Sequence, residues 1–135
     1  MDTLTRLERS RVMSLVKGKN TRPELIVRRL VHRAGFRYRL HVRGLPGQPD
    51  LVFPSRRKVI FVSGCFWHRH NCPDGRRLPK SRGRFWRRKL TGNKERDDRN
   101  TRALRRGGWR VMVVWECRLR KLNVATRQII RFLRA

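Results

Sequence analysis

Acidic side chains are scarce in this sequence. Nine Asp and Glu stand against 37 Lys and Arg in 135 residues, which leaves a formal charge of +28. An excess of that size needs a polyanion: DNA or RNA first, an acidic membrane surface a distant third. Long apolar runs are also missing. No stretch approaches the ~18–20 residues of a transmembrane helix, so nothing is expected to span a membrane. The opening residues, Met1 to Arg6, lack the apolar segment of a signal peptide. Cysteine is rare, and its count of three is odd. That excludes a fully paired disulfide scaffold and fits a reducing compartment. Apolar residues make up only 38% of the chain and charged residues 34%, a balance that by itself approaches disorder. Charge alone does not say whether the chain does chemistry, since a packaging or ribosome-associated protein has a similar composition.

The apolar residues are nevertheless concentrated. Asp50–Phe53, Val59–Val62 and Trp109–Trp115 are short runs that read as buried strands. Length fits a single domain over residues 1–135, with enough chain to bury roughly two-thirds of its unfolded surface. A first helix is predicted over Leu4–Val16 and a second after Thr21. Thr21 and Glu24 form a Thr-x-x-Glu capping box with Pro23 in the first turn. Val27, Leu30, Val31 and Ala34 follow at amphipathic-helix spacing, and Gly35 ends the helix. Phe36–Leu40 alternates apolar and basic residues and predicts a half-exposed strand. Gly64–Arg84 is a long irregular segment. Phe85–Leu90 and Lys94–Arg106 read as two helices, with Gly107 and Gly108 as the stop. Trp109–Trp115 reads as a central strand and Val124–Leu133 as a closing helix. The order predicts an α/β chain with a mixed sheet flanked by helices.

Of the acids, Asp2, Glu8, Glu95, Asp97 and Asp98 fall in helices that read as exposed. Asp50 differs, because it opens an apolar strand directly after Pro49. A carboxylate there can hold a divalent cation against a phosphate, or it can cap a turn. Glu24 has a local structural job as the reciprocal member of the capping box, and local sequence favours that role.

Cys65 and Cys72 bracket His68 and His70, and Cys117 follows a strand that can return to the same place. Three thiols and one imidazole make a closed Cys₃His zinc set, which would staple a long irregular loop. The competing reading is three buried thiols and two surface histidines. His70, nearer Cys72, is the better ligand. His68 is then left for general-base work. Phe66, Trp67, Phe85 and Trp86 lie among Arg and Lys, a pattern that suits stacking on bases as well as core packing. Trp109 and Trp115, inside an apolar strand, read as core.

Taken together, these segments resemble the very short patch repair (Vsr) endonucleases. The resemblance rests on Pro49–Phe53, Val59–Cys72, Phe85–Leu90, Asn93–Asp97 and Gly108–Cys117. Arg9–Ser14 and Asn20–Glu24 add to it, so that it runs from about Asp2 to Leu119. It implies a restriction-endonuclease-like α/β fold of the PD-(D/E)xK type with a structural zinc. It also implies Mg²⁺-dependent nicking 5′ of the thymine in T·G mismatches left by 5-methylcytosine deamination.

By this match Asp50 is a side-chain ligand of the Mg²⁺ and Val62 gives a backbone carbonyl. His68 is the general base, and Glu24 supports the site. Cys65, His70, Cys72 and Cys117 hold zinc. Phe66, Trp67 and Trp86 wedge into the duplex, Met13 and Val16 enter from the other side, and Lys89 and Asn93 help read the site. The implied partner is double-stranded DNA with a T·G mismatch, with mismatch-repair proteins as further candidates, acted on by a monomer in the bacterial cytoplasm at the nucleoid. Ser63 stands where some members carry His, and Val62, Ser63 and Gly64 occupy the place of the wider fold's Glu-x-Lys pair, so no lysine follows Asp50 there. The alternatives are a zinc-stapled DNA binder with a silent site, or a related nuclease with another target.

Overall fold

The computed structural model describes residues 21–68, 70–77 and 82–135. The helix expected over Leu4–Val16 lies outside the described residues. The first described helix, α1, spans Arg22–Arg33. Pro23 sits in its first turn, where its missing N–H costs no hydrogen bond. Val27, Leu30 and Val31 form its buried stripe. Thr21 is the N-cap, but its side chain makes no capping hydrogen bond. Glu24 is instead buried and accepts a hydrogen bond from Arg28. Gly35, at φ +86°, closes the helix with the bond from the Phe36 N–H to the Val31 carbonyl, a left-handed step that favours glycine.

The sheet has three strands: β1 (Leu51–Phe53), β2 (Lys58–Ser63) and β3 (Arg110–Trp115), in the order β1-β2-β3. β1 and β2 are antiparallel, and β2 and β3 are parallel. The middle strand is therefore β2, and β3, expected at the centre, lies at an edge of the described sheet. The strand expected over Phe36–Leu40 reduces to one bridge between Arg39 and Val52. His41, at φ +55°, turns the chain away before a ladder can extend.

Side chains alternate between two cores. Leu51, Phe53, Ile60 and Val114 pack with Val27, Leu30 and Val31 of α1 and with Ile129 and Leu133 of α4 (Leu122–Arg134). Val52 and Val59 face the other way, onto Leu104 of α3 (Gly83–Arg106). A strand set covered on both faces explains why its sequence runs are almost continuously apolar. Between β2 and α3 lies a one-turn helix, α2 (Pro73–Arg76). The end of α4 is tied to β2 by the buried Lys58, whose ammonium donates to the carbonyls of Phe132 (2.7 Å), Leu133 (3.1 Å) and Ala135.

α3 is one continuous helix and not two. It runs through Thr91, Gly92 and Asn93, where a mid-helix glycine costs about 1 kcal/mol relative to alanine. Leu90 is fully buried and Asn93 is hydrogen-bonded to the Trp67 carbonyl. These tertiary contacts hold the helix through its weakest point. Among the described residues, no helix is long and apolar enough to cross a membrane.

Candidate active site and metal centre

Because β2 and β3 run parallel and β1 runs against them, one edge of the sheet gathers the start of β1 and the ends of β2 and β3. Asp50, Ser63 and Trp115 meet there. This edge lies in an open groove of about 1390 Å³ whose lining includes Glu24, Arg28, Asp50, Val62, His68 and Asp97.

Asp50 directly precedes β1. In the antiparallel register Leu51 pairs with Ile60, so the Val62 N–H lies past the end of the ladder. It donates to Asp50 Oδ2 at 2.6 Å. Burial pushes the Asp50 carboxyl from the ordinary range up to about 6. The Val62 hydrogen bond opposes this, the Glu24 charge adds to it, and Arg28 and His68 act against it. Two carboxylates thus face one groove, and burial is the main obstacle to ionising Asp50. Hard oxygen donors under that strain suit a divalent cation such as Mg²⁺.

His68 lies in the turn that leaves β2, where its N–H bonds to the Gly64 carbonyl at 3.2 Å. Its Nδ1 is hydrogen-bonded to Asp97 Oδ2. An ionised carboxylate can only accept, so Nδ1 carries the proton and Nε2 is the basic nitrogen. Asp97 is on α3, in a stretch that the sequence reads as solvated charge.

Behind this turn, Cys65, His70, Cys72 and Cys117 bring their ligand atoms within 4.8 Å of one another. The Cys117 Sγ is 3.5 Å from His70 Nδ1, and the Gly75 N–H approaches Cys72 Sγ at 3.4 Å. Burial pushes the Cys65 thiol up to about 12; a Cys117 backbone hydrogen bond opposes this, and the Cys117 and Cys72 side chains add to the rise. Burial, and then Arg118, lower the His70 pKa and favour a neutral imidazole. Three thiols and a neutral imidazole converging on one point fit a tetrahedral metal ion, which would draw off the thiol protons. His70 stacks on Trp115, with ring centroids 4.2 Å apart at 19°, and His68 meets the same indole edge-on at 6.4 Å. Trp115 therefore joins the Cys/His cluster to His68, where sequence reads only core.

Phe66, Trp67 and Trp86 form an aromatic cluster with centroid separations of 5.2, 5.9 and 5.7 Å. Phe66 and Trp67 line the groove. Trp86 is buried against them, and its neighbour Phe85 is exposed, with Arg82 and Lys89 over its ring.

Comparison with known proteins gives this geometry a context. The family model described as DNA mismatch endonuclease Vsr matches residues 1–74. The chain belongs to the Vsr family of DNA mismatch endonucleases. It is 53% identical over 122 residues to the type II nicking enzyme V.XorIIP of Xanthomonas oryzae pv. oryzae, covering 90% of this chain and 89% of the relative. It is 40% identical over 133 residues to the type II nicking enzyme V.NmeAIP of Neisseria meningitidis, covering 98% and 94%. It is likewise 40% identical over 119 residues to DNA mismatch endonuclease Vsr of Escherichia coli, covering 88% and 76%. This Vsr-family chain is thus a DNA endonuclease, which supplies the polyanion its charge requires.

Within this Vsr-family fold, the expected active-site residues Glu24, Asp50, Val62 and His68 line one groove, and the four expected zinc ligands form one cluster. Asn93 lines the same groove and fixes the Trp67 backbone through its amide. Lys89 points its ammonium at Phe85, 5.8 Å from the ring centroid. Met13 and Val16 lie outside the described residues. Asp97, which the sequence places on exposed helix, and Arg28, which it does not single out, also line the groove.

Proposed function

We propose that this Vsr-family chain is a Mg²⁺-dependent, strand-specific nicking endonuclease that cuts 5′ of the T in T·G mismatches and so starts very short patch repair of deaminated 5-methylcytosine. The observation that carries the reading is the convergence of Asp50, Glu24 and an Asp97-bound His68 in the groove that Phe66 and Trp67 line. The mixed sheet with its acidic residue at the strand edge is read as a restriction-endonuclease-like fold of the PD-(D/E)xK type.

Asp50 and the Val62 carbonyl would hold Mg²⁺, which when bound polarises the phosphoryl oxygen and stabilises charge there. Water attacks phosphorus, and one phosphodiester P–O bond breaks as the new one forms. The water's proton passes to His68 Nε2, and the departing oxygen takes a proton from solvent. Asp97 holds the His68 tautomer that makes this possible and stabilises the imidazolium that results. Cys65, His70, Cys72 and Cys117 would hold Zn²⁺, which when bound locks the turn carrying His68.

A mismatched pair stacks weakly, so insertion of Phe66 and Trp67 costs less there than at a matched step. The excess positive charge gives sequence-independent affinity with a steep salt dependence. The test is to map cleavage at nucleotide resolution on both strands of a duplex with a single T·G pair. One cut, on the T strand and 5′ of that T, is expected; cuts on both strands or at matched sequence count against the reading.

A further inference from the structure

Hydrolysis of a phosphodiester places growing negative charge on the non-bridging oxygens, and fixed cations aimed at them are among the strongest catalytic devices. The lysine that the wider fold places after the strand-edge Asp is missing here, where Val62, Ser63 and Gly64 follow in its stead. The groove does contain cations. Arg22, Arg77, Lys94 and Arg96 line it but are exposed, so they suit screened contacts with the DNA backbone and not charge held at one atom.

Arg28 is different. It lies one turn after Glu24 on α1, and its Nη2 donates to Glu24 Oε2 at 3.2 Å. Its side chain is only 12% exposed, yet it lines the groove together with Asp50 and His68. Its charge also reaches Asp50, where it favours the ionised carboxylate. The local charges of Glu24, Asp50 and Arg28 sum to minus one. A divalent cation would bring that sum to plus one, which matches the single negative charge of a phosphodiester. A guanidinium has N–H donors in a planar fork suited to phosphate oxygens.

We propose that Arg28 is a catalytic residue of the nicking reaction: its guanidinium, held in place by Glu24, grips a non-bridging oxygen of the scissile phosphate. This inference rests on the phosphodiesterase reading of the site. It also gives Glu24 a second role, that of orienting the guanidinium. The competing possibility is that Arg28 only offsets the repulsion between Glu24 and Asp50.

The experiment is single-turnover nicking with Mg²⁺ of an end-labelled T·G duplex, unmodified or with an Rp or Sp phosphorothioate at the scissile position. Wild type, Arg28→Gln and Arg28→Lys are compared, with melting temperatures to check folding. In wild type, sulfur is expected to slow one diastereomer through loss of the guanidinium contact. Arg28→Gln should cut the unmodified duplex about 10²-fold more slowly, and sulfur in that diastereomer should then add little. Arg28→Lys keeps the charge without the fork and should recover part of the rate. If Arg28→Gln does not fold, the same sulfur comparison on Arg28→Lys decides.

An unmodified rate within about threefold of wild type, or a sulfur effect unchanged in both diastereomers, would show that no phosphate contact is lost and overturn the proposal while leaving the endonuclease reading intact. A wild type that nicks no duplex at all overturns both.

Discussion

The Nδ1 of His68 donates to the carboxylate of Asp97, which joins the turn after β2 to the middle of α3 across 29 residues of sequence. This contact fixes which imidazole nitrogen is basic, and it turns a helix-surface acid into part of the site. Asp97→Asn keeps the shape but not the charge that holds the tautomer and stabilises the imidazolium. It is expected to lower the single-turnover nicking rate by about 10²-fold or more. Gel-shift affinity for the same duplex should stay near wild type. Unchanged nicking would remove Asp97 from the mechanism.

Asp50 makes a prediction about stability. Its folded pKa of about 6 lies above the ordinary value, with burial the main cause. Between pH ~4 and pH 6 the folded chain holds a proton that the unfolded chain has released, so stability falls as pH rises through that window. Without added Mg²⁺, Asp50→Asn should therefore melt higher than wild type at pH 8, by up to about 3 kcal/mol of stability. The gain should fade as pH drops and be gone only well below the unfolded value of 3.8, where the carboxyl is protonated in both the folded and the unfolded chain. Thermal melts across this range check it, and a variant less stable than wild type at pH 8 contradicts it.

The Cys65, His70, Cys72 and Cys117 group makes a prediction about metal. If Zn²⁺ holds the segment after β2 to the end of β3, a zinc chelator or Cys117→Ser should lower the melting temperature by roughly 10 °C or more, along with activity. Metal analysis of the purified protein should find about one zinc per chain. Lost activity at unchanged melting temperature would assign the cluster another role.

Trp67 and Trp86 separate wedge from core. Trp67 lines the groove and Trp86 is buried behind it. Trp67→Ala is expected to weaken binding to a T·G duplex by about tenfold or more, and binding to the matched duplex only slightly. Equal losses on both would make Trp67 a packing residue alone.

Much of this was legible in the sequence, for physical reasons. β1 and most of β2 are buried on both faces and β3 is partly buried, so all three carry apolar runs that stood out. The convergence of Cys65, His70, Cys72 and Cys117 was readable because three cysteines and one histidine have few other joint uses. Asp97 was hidden by the apparent break at Thr91–Asn93. Once α3 is continuous, Asn93 and Asp97 fall at helical spacing on the same face as the buried Trp86, Leu90 and Leu104. Read as two helices, the stripe is cut and Asp97 looks like one more solvated charge. Trp115 was read as core because an apolar strand gives no hint that its last residue stacks on His70 of the Cys/His cluster. The Thr21 half of the capping box is not made, and Glu24, a buried carboxylate paired with Arg28, lines the groove with Asp50, which local sequence alone does not reveal. The edge position of β3 depends on long-range pairing, which local sequence does not encode.

The central claim is that Asp50 anchors a metal-dependent cut at a T·G mismatch. The most direct measurement is a strand-specific nicking assay. It uses end-labelled duplexes differing only in one T·G or C·G pair within a methylation context, with Mg²⁺ or EDTA, for wild type and Asp50→Ala. The expected result is a single Mg²⁺-dependent cut 5′ of the mismatched T by wild type, none on the C·G duplex, and none by Asp50→Ala. Cleavage that survives EDTA or the loss of Asp50, or binding to the mismatch with no cut under any condition, would contradict it.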